Sequence, residues 1–442
     1  MNPSLARVII SMLAGIMLII ILTTRWRLAV FFSMLIACLA TGMGVSMPLP
    51  EIISTAKTGF GNIMQSLGFI IVLGTTLGVF LEHTGCAKVM ANYILEKTGK
   101  KNASLAIGIT GFIVGLPVFC DSGYIVLNGI NKSLIRKTGL PVITMSVSLA
   151  AGLYAVHCLL PPHPGAASAA GTIGVDFGKL LLYGIIVAVP VMLAGYWWAV
   201  YAGKKIPAPT INDDEIPEDQ SLQPPVLKAF LPVIIPIILI AAKSLLSNIV
   251  PTGKWSGNLL AIGDPVIALS IAVLLAVNAK RDWNKNTLSV LLHEALEKAG
   301  TILLIIGAGG AFGAILAATN IGNHLGKLSS LNTLGLLFPF LLTFILKTAQ
   351  GSSTVAIITA ASIVLPLLTA LGLDSSNGRL LTVLAMGAGS MMISHANDAY
   401  FWVIARFSGI DMKTMLKAYS VATIIMGITA IAIVCLLSTI LL

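Results

Sequence analysis

Apolar runs long enough to cross a hydrocarbon layer of about 30 Å recur from one end of the chain to the other. They predict membrane spans over roughly residues 5–23, 28–46, 62–82, 139–160, 178–201, 228–248, 261–279, 299–318, 378–394 and 416–440. Four polar interruptions stand out against this background: PVFCDSG (117–123), HCLLPPHPG (157–165), AQGSST (349–354) and SHANDAYFW (394–402). Backbone that leaves the helix at membrane depth must be buried in protein or line a wet cavity, because lipid offers it no hydrogen bonds. The four breaks are therefore expected to converge.

Each break carries its own helix signals. Pro161 and Pro162 lack the N–H that would continue a helix, while Pro164 suits the first turn of a new one, GAASAAGTIG. Ser352 or Ser353 is placed to cap TVAIITAASIVLPLL, Asp398 to cap the helix from Ala399, and Asp121 or Ser122 to cap GYIVLNGI. The segments around 103–130 and 333–368 read as re-entrant hairpins, with tips at 119–123 and 349–353.

Two halves share a weak internal repeat. Gly74, Gly78 and Thr84 recur as Gly309, Gly313 and Thr319, and Gly174-Val175-Asp176 as Gly409-Ile410-Asp411, always 235 residues later. The boundaries follow: a first repeat over 1–202, a Pro-rich acidic linker over 203–227, and a second repeat over 228–442.

Composition agrees with a membrane protein: 57% of the 442 residues are hydrophobic and 10% charged, against roughly 25% charged in soluble domains. The net charge of +10 reflects Lys and Arg in loops beside spans rather than a nucleic-acid partner. Keeping Lys132, Arg136 and Lys137 in the cytoplasm requires the first hairpin to enter and return on one side. The same count puts Lys204, Lys205, Arg406, Lys413 and Lys417 inside and both termini outside. The halves are then inverted, as in secondary transporters. Cys38, Cys86, Cys120, Cys158 and Cys435 have no metal-ligand or disulfide spacing, so neither metal nor cofactor is expected.

The fold class is an all-α polytopic membrane protein. It has two inverted repeats, each with a re-entrant hairpin and a broken helix. Half-helix N-termini favour an anion, which makes Asp121, Ser122, Gly123, His163, Gln350, Gly351, Ser352, Ser353, Thr354, His395 and Asn397 the candidate substrate residues. Asp121, Asp398, His157 and His395 are the candidate proton carriers. Sodium held by exposed carbonyls is an alternative driving ion. A membrane-embedded hydrolase would need HExxH or GxSxG, and neither is present.

LPPHPG, the ordered set Ser394, His395, Asn397, Asp398, Phe401 and Trp402, AQGSSTVAIITA and the GDP at 263–265 resemble the gluconate:proton symporter (gluconate permease) family, within the ion transporter superfamily. The similarity runs over nearly the whole chain. It implies a bacterial inner-membrane, proton-coupled importer of gluconate or another small hydroxylated monocarboxylate, one branch taking D-serine. A D-glycerate-type substrate stays open. A scaffold with a mobile elevator-like transport domain and a homodimer are implied by the same resemblance.

Overall fold

The computed structural model describes residues 4–98, 102–207, 223–246, 260–280, 283–319 and 334–442. Among these residues all regular structure is helical. The first half contains α1 (Leu5–Thr24), α2 (Val30–Gly44), α3 (Leu49–His83), α4 (Cys86–Thr98), α5 (Ala103–Gly115), α6 (Cys120–Thr138), α7 (Val142–Leu159), α8 (Pro164–Ile173) and α9 (Phe177–Lys205). After it come α10 (Val226–Leu246), α11 (Pro265–Asn278), α12 (Lys285–Ala318), α13 (Leu337–Gln350), α14 (Ser353–Val364), α15 (Ser376–Met391) and α16 (Ala399–Ser408). The last, α17 (Met412–Leu441), contains a π turn at Leu416–Ser420. Among the described residues, seven stretches are long and apolar enough to cross a membrane. Most of the linker expected over 203–227 (residues 208–222) lies outside the described residues.

Helix bounds recur at the interval read from the sequence. The short helices α8 and α16 start 235 residues apart and end 235 residues apart, each closed by a left-handed glycine, Gly174 and Gly409. Asp176 and Asp411 then cap the following helices by accepting from Lys179 N and Thr414 N. Packing partners exchange in the same way: α5 lies on α7 as α13 lies on α15, and α8 meets α14 as α16 meets α6. Helices α3 and α12 pack along one another, as do α9 and α17.

Two spans begin earlier than hydropathy suggests. The runs expected at 62 and 299 start as helices at Leu49 and Lys285. The added turns are polar overall, but Ile52, Gly59 and Ile63 of α3 and Leu291, Ala295 and Ala299 of α12 form buried stripes at helical spacing. An amphipathic face extends a span beyond its apolar run.

The core sits around α7, every residue of which is buried. Small residues allow the approach, as in membrane helix pairs generally. A Cβ at Gly152 would lie 2.0 Å from the Gly108 carbonyl oxygen of α5. Gly152→Ala is expected to lower the unfolding midpoint by several degrees. Gly129→Ala, where nothing lies within 4 Å, should leave it unchanged or raise it, since Ala is favoured over Gly in a helix by about 1 kcal/mol. Thermal unfolding in detergent compares the two.

A bridge joins the halves away from the breaks. The Arg379 guanidinium donates to the Ile173 carbonyl at 3.1 Å and to the Asp374 carboxylate at 2.6 Å. The Arg379 hydrogen bonds to its carboxylate hold the Asp374 carboxyl below the usual carboxylate range. A carboxyl depressed in the fold stabilises above its unfolded pKa and loses that contribution as pH falls through the folded value. Arg379→Ala should therefore lower the melting temperature by a margin that is constant above about pH 4 and shrinks below it. Melting curves at stepped pH test this.

Candidate functional site

The second break is built by its prolines. α7 ends at Leu159, a cis peptide joins Pro161 to Pro162, and Pro164 occupies the first turn of α8. His163 takes the N-cap position of α8 without capping it by its side chain. Its Nε2 instead lies 2.7 Å from the Gly115 carbonyl at the end of α5. A carbonyl only accepts, so His163 carries a proton on Nε2. The His163 ring also meets Phe119 edge-on, 6.2 Å between centroids. This histidine fastens the α7–α8 break to the tip of the first hairpin.

That tip differs from expectation. The turn occupies residues 116–119, and Cys120-Asp121-Ser122-Gly123 forms the first turn of α6. Phe119 is the N-cap residue and makes no side-chain cap, so neither Asp121 nor Ser122 caps this helix. Pro117 sets the turn before the polar residues are reached, which leaves the Asp121 carboxylate on the first turn, where the helix dipole favours a negative charge. It accepts a hydrogen bond from the Cys120 thiol at 3.1 Å and lies within electrostatic reach of Asp398. Ser122 faces Glu82 of α3. Gly123 packs against Leu153, whose Cδ2 would be 2.7 Å from an added Cβ.

The second hairpin turns as expected. Gly351, with φ of +84°, closes α13, its N–H bonding to the Lys347 carbonyl at 2.8 Å. Ser352 caps α14 by accepting from Val355 N. The fourth break, residues 392–398, wraps this tip. Asn397 Nδ2 donates to the Thr348 and Ala349 carbonyls at 2.8 and 3.3 Å, and His395 Nε2 lies 3.1 Å from the Thr348 carbonyl. Helix ends leave carbonyls without partners, and these two side chains supply them. Asp398 caps α16 as expected, accepting from Tyr400 N at 3.0 Å. Its Oδ2 also accepts from Ser394 Oγ at 2.6 Å and from Lys347 Nζ at 2.8 Å.

The four breaks thus meet at one place. His157, in the last turn of α7, sets Nε2 3.4 Å from Thr354 Oγ1 in the first turn of α14. The first turns of α8 and α14 touch, since a Cβ on Gly165 would be 3.3 Å from Thr354 Cα. Their N-termini place positive partial charge side by side. Around this junction His157 Nδ1, Thr348 Oγ1 and both polar atoms of the Gln350 amide are buried without a protein partner. Such groups are costly when unsatisfied, and together they suit a molecule carrying a carboxylate and several hydroxyls. Ser353, also buried, lies beside Tyr154 and Cys158.

Sequence reading passed over Lys347. This side chain is wholly buried and forms an ion pair with Asp398. The signal was a single cation inside FPFLLTFILKTAQG, four residues before the tip. All five cysteines are free, and among the described residues no cluster could hold a metal ion.

Comparison with known proteins adds an independent line. The family description "GntP family permease" matches residues 7–440. A protein named gluconate permease from Pseudomonas aeruginosa is 32% identical, over 99% of this chain and 98% of that protein. A high-affinity gluconate transporter of Escherichia coli is also 32% identical, over 94% of this chain and 95% of that one. Among solved structures, the Alcanivorax borkumensis YdaH transporter superposes with a TM-score of 0.63 at 16% identity, covering 89% of this chain and 90% of its own.

Proposed function

This chain belongs to the GntP family of permeases, and on that premise we propose that it imports gluconate or a related small hydroxylated monocarboxylate together with protons. It is a multi-pass membrane permease, not an enzyme. The observation that carries the substrate class is the junction of the α8 and α14 N-termini beside the unpartnered Gln350 amide and His157 Nδ1. Two adjoining helix N-termini attract one carboxylate, while amide, imidazole and hydroxyl groups read the polyol body. The full-length relatives named for gluconate point to the same molecule.

Transport requires this site to face each side of the membrane in turn. We assign residues 1–202 and 228–442 to two inverted repeats joined by a cytoplasmic linker, with both termini outside and the chain in the inner membrane of a bacterium. The regular 235-residue interval in helix bounds and the exchange of packing partners support this assignment. The two hairpins, with the broken helices α7–α8 and α15–α16, would form a mobile body carrying the site past a scaffold in a homodimer. Asp398 in the fourth break and Asp121 on the first turn of α6, within its electrostatic reach, are the carboxylates available to take the coupling proton.

Purified protein in proteoliposomes should accumulate labelled gluconate when the outside is made acid, and a protonophore should abolish the accumulation. Unlabelled aldonates should compete better than D-serine or D-glycerate. Absence of both gluconate uptake and gluconate counterflow would overturn the assignment. Stronger competition by D-serine would move the substrate to an amino acid.

A further inference from the structure

The Lys347 ammonium occupies the position a driving cation would need. It sits at the carbonyl end of α13, where the dipole is negative, and donates to the Gly351 carbonyl at 2.9 Å and to Asp398 Oδ2 at 2.8 Å. A carbonyl exposed by a helix break and a carboxylate are the ligand types of a hard monovalent cation site between hairpin and broken helix. Here the ligands are taken by an amine tethered to the chain. Resting on the transport reading above, we propose that Lys347 is a built-in cation that replaces sodium at this site and, by exchanging its Asp398 partner for the substrate carboxylate, couples uptake to protons.

Charge balance ties the proton to the anion. The buried pair Lys347–Asp398 is neutral, with side chains 0% and 9% exposed. A monocarboxylate entering at the α14 N-terminus, one residue beyond Gly351, would add a net negative charge in a region where isolated charge is expensive. A proton added to the Asp398 carboxylate removes that excess and leaves the ammonium as counter-ion to the substrate. Proton and anion then enter together. On the far side the proton leaves Asp398, the carboxylate reclaims Lys347, and the anion is released. Every proton taken up outside is returned inside, and no other reactant is needed.

The groups facing Lys347 fit this assignment. Asp398 and Ser394 come from the α15–α16 break, and His157 and Cys158 of α7 lie within electrostatic reach. His395 shares the α13 end through the Thr348 carbonyl. Cys120 and Asp121 of α6, Tyr154 of α7 and Tyr419 of α17 lie within electrostatic reach of Asp398. Asp121 and Asp398 are the two carboxylates in this set, and only Asp398 is bonded to the amine.

The test uses proteoliposomes with a fixed inward proton gradient and labelled gluconate, in sodium or choline medium. Wild-type accumulation should be the same in both media. Lys347→Ala should lose accumulation in choline by about tenfold or more, as expected when one partner of a buried pair is removed. Sodium or propylammonium should restore it by filling the emptied position, an effect that a purely structural lysine would not produce. Lys347→Met/Asp398→Asn removes both charges and should fold, but it should lose accumulation in both media, because the substrate carboxylate then has no counter-ion and the coupling proton no acceptor. The proposal is overturned by sodium stimulation of the wild type, by undiminished accumulation in Lys347→Ala, or by accumulation in the double variant. Folded but inactive Lys347→Ala that neither cation rescues also overturns it. Wild-type gluconate counterflow without a pH difference reports the substrate reading alone, so the two failures are separable.

Discussion

Asp398→Ala should destabilise the protein by about 3–5 kcal/mol, because it leaves a buried ammonium without its counter-ion. The Lys347 side chain is fully buried and cannot reach water without unseating the end of α13. The substitution also removes the α16 cap, which is worth about 1 kcal/mol on its own. Asp398→Asn keeps a capping oxygen and should fall between wild type and Asp398→Ala. Removing both charges with Lys347→Met/Asp398→Asn should recover most of the loss. Thermal unfolding of the four proteins in detergent gives the ranking. An Asp398→Ala protein as stable as wild type would mean that the pair is not the buried unit described here.

The second large effect belongs to the hairpin tip. Gly351→Val should reduce initial uptake by well over about tenfold, since a β-branched residue at φ of +84° is a genuine backbone outlier. Space forbids it independently: the added Cβ would be 2.1 Å from the Asn397 carbonyl oxygen. Either the tip or the wrapping segment must move, and both hold the site. The Gly351 carbonyl that accepts from Lys347 would move with them. Initial rates of labelled gluconate uptake, normalised to reconstituted protein, read this directly. Rates equal to wild type would show that the tip can shift without consequence.

Much of this architecture was legible because breaks in apolar helices announce themselves. Pro161, Pro162 and Pro164 marked the second break and the restart at α8, and Ser352 and Asp398 marked the caps they make. The 235-residue spacing was readable from a few glycines and aspartates because turn residues are tied to backbone conformation more strictly than apolar residues are to packing. Asp121 was misread as a cap for a related reason. Pro117 moved the turn two residues upstream of the polar cluster, and acidic residues suit either a cap or a first turn. Hydropathy also placed the starts of α3 and α12 too late, because it averages over an amphipathic face.

Partnerships across the chain were beyond reach. Nothing in the sequence ties His163 to the Gly115 carbonyl or Asn397 to the end of α13, since backbone acceptors have no residue signature. These bonds commit part of the candidate set to the fold: His163, His395 and Asn397 each spend a ring or amide nitrogen on a helix end. Lys347 was missed because a lone lysine in an apolar run resembles a residue reaching for the interface. Only the fold reveals that its end meets Asp398.

If the four breaks enclose the substrate between α8 and α14, bound gluconate should protect a cysteine placed at Thr354. In Thr354→Cys protein with the native cysteines replaced and gluconate uptake retained, saturating gluconate should slow labelling by a small thiol reagent, while a non-substrate sugar should not. Labelling at the same rate with and without gluconate would place the substrate elsewhere in the fold.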